Sequence, residues 1–124
     1  MNVVCDTNPL IYLLTDHPDY ADIVENTLNG KQVWVSVITE LELFGKKGLS
    51  KAEIKAINEL IGDCMVVDIN DEVKELTKSL MQKHTIRLPD AVVTATSLYL
   101  GFPLISADHS FSKISELDFI LLDE

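Results

Sequence analysis

Positive charge is scarce in this sequence. Ten lysines and arginines stand against twenty aspartates and glutamates, giving a formal net charge of −10 over 124 residues. That balance argues against simple nucleic-acid binding, which draws most of its strength from Lys and Arg on phosphates. Also missing is any apolar run near the ~18 residues that a membrane helix needs. The opening residues, Met1-Asn2-Val3-Val4-Cys5-Asp6, hold neither a basic stretch nor a cleavage signal, so no secretory peptide is expected. Cysteine occurs only as Cys5 and Cys64, both in apolar runs that read as core strands. Two lone thiols suit a reducing compartment and no disulfide framework. Repeats, linkers and low-complexity stretches are absent, and 47% of residues are hydrophobic, which excludes a disordered chain. The expectation is one cytoplasmic domain, residues 1–124, with no membrane contact.

The acidic surplus permits a plain solvated surface, a carboxylate cluster that requires a divalent metal, or a basic partner. The cations fall into groups: Lys46, Lys47, Lys51 and Lys55, then Lys78, Lys83, His84 and Arg87. Either group can track a phosphate backbone or simply keep helix surfaces soluble.

Short apolar runs alternate with helical patterns. Residues 2–5 read as a strand, after which Asn8 and Pro9 open a helix, proline suiting the first helical position. A turn at 16–19 leads to a second helix that stops at Asn29-Gly30. QVWVSV is the next strand, followed by helical patterns from Val37 to about Phe44 and from a Ser50 cap to Ile61. CMVVDI is a third strand, then a helix runs from Asp71 to about Lys83. LPDAVVTATSLYLG is a helix opened by Pro89 and closed by Gly101; PLISA is a fourth strand and DFILL a fifth. This alternation predicts an α/β fold with a mainly parallel sheet of four or five strands and helices on both faces.

Ligands of such sheets bind beyond the carboxyl ends of the strands. Asp6 ends the first strand, Glu42 lies in the helix after the second, Asp90 opens a helix and Asp108 follows the fourth strand. Converging carboxylates repel one another and raise each other's pKa. A divalent cation removes that penalty, and oxygen ligands suit Mg²⁺ or Mn²⁺. Such a site performs hydrolytic phosphoryl transfer, the metal activating water and neutralising charge.

Each residue also has a structural explanation. Asp6 can cap the first helix, Asp90 favours the dipole of its own helix, and Asp108 can cap a short helical turn. Glu40 and Glu42 lie ~200° apart on a helical wheel and both flank the apolar stripe Val37, Ile38, Leu41 and Phe44. Periodicity does not choose between them.

Together, VVCDTNPLIYLL, VSVITELELFG and RLPDAVVTATSLYLGFPLISADHSF resemble the PIN domain family, most closely its small bacterial VapC-type toxins. The resemblance covers nearly the whole chain, in order and at the usual distances. It implies a parallel sheet between helices and a metal-dependent ribonuclease. Asp6, Glu42, Asp90 and Asp108 take the places of the family's acidic residues, which selects Glu42 over Glu40. Thr7, Asn8 and Ser106 are implied as hydrogen-bonding groups behind the metal ligands. Ala107 departs from the arginine more common before the last aspartate, so substrate affinity is where this chain differs. The implied mechanism holds one or two Mg²⁺ ions on Asp6, Asp90 and Asp108. Glu42 binds metal through water or orients the water that attacks phosphorus in line. Implied partners are RNA, a cognate antitoxin and a second copy of the chain.

The three histidines, His17, His84 and His109, have no metal-ligand spacing, although His109 adjoins the site. Trp34 and Tyr12 read as core or interface residues, and Ser36 and Thr39 as helix-entry caps. A phospho-acceptor receiver domain would need an acidic pair after the first strand and a lysine after a later one, and neither is present. A non-catalytic binding module on the same scaffold would be marked by a degenerate site, whereas all four carboxylates stand here. A housekeeping nuclease without an antitoxin would share the same residues.

Overall fold

Strand β1, Asn2–Cys5, lies at the centre of a five-stranded sheet in the computed structural model, which describes residues 1–123. Its Val3, Val4 and Cys5 are fully buried, so both faces of the strand are covered. That is the environment of a parallel sheet reached through helical crossovers. The other strands are β2 (Gln32–Ser36), β3 (Met65–Val67), β4 (Leu104–Ser106) and β5 (Phe119–Leu121). The order is β3-β2-β1-β4-β5, and every pairing is parallel. The last three predicted strands are shorter than their apolar runs. Cys64 lies outside β3, half-buried, and both thiols are free.

Among the described residues six α-helices cover the sheet: α1 (Thr7–Leu14), α2 (Ala21–Leu28), α3 (Val37–Leu43), α4 (Lys51–Gly62), α5 (Asp71–Lys83) and α6 (Leu88–Leu100). Side-chain alternation along the strands divides the core. Val4 and Leu104 face Val73 and Leu80 of α5, Val92 of α6, and Phe111. On the opposite face Cys5 and Val35 meet Leu10, Leu43, Ile57 and Ile61, while Val3 and Ile105 meet Val24. Each fully buried valine or leucine in these layers contributes roughly 1.5–3 kcal/mol of apolar transfer. Helix α6 is buried throughout Ala91–Ser97, and its C-cap Gly101 adopts φ 72°, a left-handed conformation that glycine tolerates without strain.

Two helix expectations shift. Helix α1 begins at Thr7, because Asp6 is still extended (ψ 172°) and the chain turns directly out of β1. Pro9 therefore sits third in the first turn, where its missing N–H is not required. In α3 the buried positions are Thr39 and Leu43, whereas Leu41 and Phe44 of the expected apolar stripe are 61% and 37% exposed. The helix packs between β2 and α1, and those contacts override its hydrophobic periodicity. Helix α4 follows its sequence signal closely, with a reciprocal capping box between Ser50 and Glu53.

Candidate active site

The chain leaves β1 toward one edge of the sheet and β4 toward the other, so the seam between these adjacent strands is a topological switch point. Asp6 stands at its carboxyl end. The residue is only 6% exposed and occupies the N-cap position of α1, yet its side chain makes no capping hydrogen bond. Ser106, the last residue of β4, instead donates its hydroxyl to Asp6 Oδ2 at 2.8 Å. Burial pushes the Asp6 carboxyl up to about 6; hydrogen bonds from Ser106 and the Thr7 backbone oppose this, and the nearby Asp90 and Glu42 charges add to it.

Glu42 reaches the same edge from α3. Thr7, the first residue of α1, donates to Glu42 Oε1 at 2.6 Å, and the buried Thr39 hydroxyl lies 3.3 Å from that of Thr7. Glu40 makes no hydrogen bond to this group among the described residues. Asp90 sits in the first turn of α6, where its charge also favours the helix dipole. Arg87, at the N-cap position, places Nη2 3.2 Å and Nε 3.3 Å from Asp90 Oδ2. Asp90 foremost, then more weakly the charges of Asp108 and Glu42, raise the Arg87 pKa.

Asp108 does cap a short helix, the 3₁₀ turn His109–Lys113, accepting from the Ser110 N–H at 2.9 Å. That amide holds its carboxyl below the usual range. The Asp108 N–H in turn donates to Ser106 Oγ at 3.0 Å, and Asn8 Oδ1 accepts from the Ala107 N–H at 3.2 Å. Thr7, Asn8 and Ser106 thus fasten β1, α3 and the β4 exit loop together. Ser36 caps α3, accepting from the Ile38 N–H at 3.1 Å; Trp34 packs against Phe102, and Tyr12 stacks on Tyr20.

The four acids share one edge but are held separately, by Ser106, Thr7, Arg87 and Ser110. Among the described residues no three His, Cys, Asp or Glu side chains form a ready-made metal cage. The donor chemistry nonetheless fits a hard divalent cation: every candidate ligand is a carboxylate, and the most buried one, Asp6, faces other acids with the Ser106 hydroxyl and the Thr7 backbone, and no cation among the described residues, bonded to its side chain. Arg87 is the element that sequence reasoning assigned no contact here, although its i,i+3 spacing to Asp90 at a helix start was a legible signal.

A family model described as PIN domain matches residues 3–117. No curated protein matches the sequence significantly. Among solved structures, a toxin–antitoxin complex from Klebsiella pneumoniae aligns with TM-score 0.82 at 23% identity, covering 98% of each chain. VapBC-1 from nontypeable Haemophilus influenzae aligns with TM-score 0.78 at 25% identity over all of both chains. DNA-bound VapBC from Salmonella typhimurium aligns with TM-score 0.81 at 19% identity, covering 99% of each.

Proposed function

This chain belongs to the PIN domain family, and from that premise we propose that it is a divalent-metal-dependent endoribonuclease, the toxin of a toxin–antitoxin pair. The observation that carries the reading is Asp6: a buried carboxylate at the β1–β4 seam, close enough to Asp90 and Glu42 to feel their charges, with no cationic side chain bonded to it among the described residues. Leaving such a group ionised is costly unless a cation meets it. Asp6, Asp90 and Asp108 would hold Mg²⁺ or Mn²⁺, with Glu42 at its margin. The bound ion supplies Lewis-acid polarisation of the phosphodiester and an activated water.

The protein's own part is positional. Ser106 and Asn8 fix the loop that carries Asp108 at the carboxyl end of β4, next to the strand that ends at Asp6. Thr7 aims Glu42, which orients the attacking water. Arg87 moderates the charge of Asp90. The substrate is RNA, and the compartment is the cytoplasm.

The antitoxin reading is supported by the toxin–antitoxin complexes that share the fold. It is also supported by an apolar cleft of about 380 Å³ between α1, α3 and α4, walled by Ile11, Leu14, Leu43 and Ile57. Glu42 also lines this cleft, so a bound antitoxin segment would end beside the carboxylates. A homodimer through helical faces accords with the exposure of Leu41 on α3, Phe44 at its C-cap and Leu88 on α6, α3 and α6 being neighbouring helices.

The deciding experiment is Mn²⁺ calorimetry with RNA cleavage on the wild type, Asp6→Asn and Asp90→Asn. Binding and cleavage in the wild type, both lost in the variants, is the expected result. A purified, partner-free wild type that takes no Mn²⁺ would reduce the scaffold to a binding module.

A further inference from the structure

Three of the chain's ten Lys and Arg side chains converge beside Asp90. Lys83 ends α5, Arg87 precedes α6, and Lys113 ends the 3₁₀ helix. With His84 they line a cavity of about 530 Å³ that also takes in Asp90 and Ser110, the residue whose N–H holds Asp108. Ile86, Phe111 and Ile114 supply its apolar wall.

Lys83 and Lys113 share with Lys31, Lys47 and Lys51 the lack of an ion pair among the described residues, and are set apart by lining one cavity together with Arg87. Lys46, Lys55, Lys74 and Lys78 each have an acidic neighbour, at 3.6, 3.9, 3.8 and 3.1 Å. Arg87 is bonded to Asp90 through Nε and Nη2, while its side chain stays 80% exposed, so the remaining guanidinium donors face the cavity or solvent. In a chain of net charge −10, uncompensated cations gathered on the rim of a carboxylate edge are placed to receive an anion.

We infer that this cavity seats the RNA backbone next to the scissile bond. Lys83, Lys113 and the free donors of Arg87 hold a flanking phosphate while the scissile phosphate lies at Asp90 and Asp108. The inference rests on the nuclease reading and adds the strand's path across the surface. An acidic peptide fits less well, because it would meet Asp90 and Asp108 without presenting a phosphodiester to the metal. Phe111 is only 1% exposed, so its ring is no stacking platform and the cavity is read through its phosphate contacts.

The test is binding of a fluorescein-labelled, mixed-sequence single-stranded RNA, with Ca²⁺ replacing Mg²⁺ to hold back cleavage. Lys83→Ala with Lys113→Ala is compared with Lys51→Ala with Lys55→Ala on α4, and Mn²⁺ binding is measured on both. Loss of two phosphate contacts should weaken RNA binding about tenfold or more at low salt and flatten the log–log salt slope by about 1.4. The α4 variant should match the wild type, and both should keep its Mn²⁺ isotherm. Wild-type affinity and slope in the cavity variant would overturn the inference and leave the nuclease standing. Equal weakening in both variants would also overturn it, as a general charge effect. So would a wild type that takes Mn²⁺ but no RNA, or cavity variants that lose polyglutamate binding and keep RNA. A wild type that takes neither metal nor RNA fails the nuclease reading itself.

Discussion

Ser106 bridges the first and last carboxylates of the site: its hydroxyl donates to Asp6 Oδ2 at 2.8 Å and accepts from the Asp108 N–H at 3.0 Å. The side chain is fully buried, so neither bond is replaced by water without rearrangement. Ser106→Ala leaves a buried carboxylate and an amide unsatisfied, which should cost about 1–3 kcal/mol of stability. It also removes the strongest interaction favouring ionisation of Asp6, so the carboxyl should titrate higher still. Cleavage by Ser106→Ala should therefore fall most at mildly acid pH and recover as pH rises. A pH–rate profile identical in shape to the wild type would show that Ser106 does not act through Asp6.

Thr7 acts on the other side of the site. Its hydroxyl donates to Glu42 Oε1 at 2.6 Å, and Glu42 is otherwise an exposed side chain with rotamer freedom. Thr7→Val preserves the shape of the α1 start while releasing that carboxylate. Groups that orient a metal's ligands typically contribute about 10–100-fold to affinity or activity, and cleavage should drop within that range. The melting temperature should change little. Thr7→Ser, which restores the donor, should recover most of the activity; failure of that rescue would assign the loss to packing.

Asp6 makes the metal-free protein sensitive to pH. Its carboxyl titrates near 3.8 in a free chain and about 6 in the fold. Between those values the folded state holds a proton that the unfolded state has released, so stability falls as pH rises through the interval. Above pH 6 the penalty reaches at most about 3 kcal/mol. Asp6→Asn removes it, since the amide oxygen still accepts from Ser106. Without metal at pH 7, the variant should melt several degrees higher than the wild type, and the gap should close toward pH 4. With Mn²⁺ at pH 7 the order should reverse, because only the wild type gains from binding. A variant that melts below the wild type without metal would contradict the repulsion argument.

The strands and helices were readable because they follow local rules. Ser50 and Glu53 form the capping box their spacing announces, and Pro89 and Gly101 bracket α6 as composition suggests. Asp6 and Asp108 were expected near one sheet edge because each follows a strand, and Asp90 because it opens a helix; the structure has Asp6 at the end of β1, Asp108 just after β4 and Asp90 in the first turn of α6. Helix α3 resisted, because its buried face is set by what β2 and α1 present, leaving Leu41 and Phe44 outward. For the same reason the choice of Glu42 over Glu40 came from family resemblance, while the structure adds the Thr7 bond to Glu42. The seam chemistry of Ser106 was beyond any local pattern, since it joins residues 100 positions apart.

Helix α6 carries one unexplained polar atom. Thr96 and Thr77 return their hydroxyls to carbonyls four residues earlier, at Val92 and Val73, 2.8 and 2.7 Å away. Thr94 is fully buried as well, yet its Oγ1 is without a hydrogen-bond partner among the described residues. An unsatisfied buried hydroxyl costs about 1–3 kcal/mol, and valine fills nearly the same shape. Thr94→Val should therefore stabilise the metal-free protein by about 1 kcal/mol, against little gain from Thr96→Val. Denaturant unfolding with an unchanged m-value would register this as a stability effect alone. Thr94 lies one helical turn after Asp90, so its hydroxyl and that carboxylate share a face of α6. If Thr94→Val instead destabilises the fold and lowers cleavage, the hydroxyl has a partner that only water supplies, on the helix face that carries Asp90.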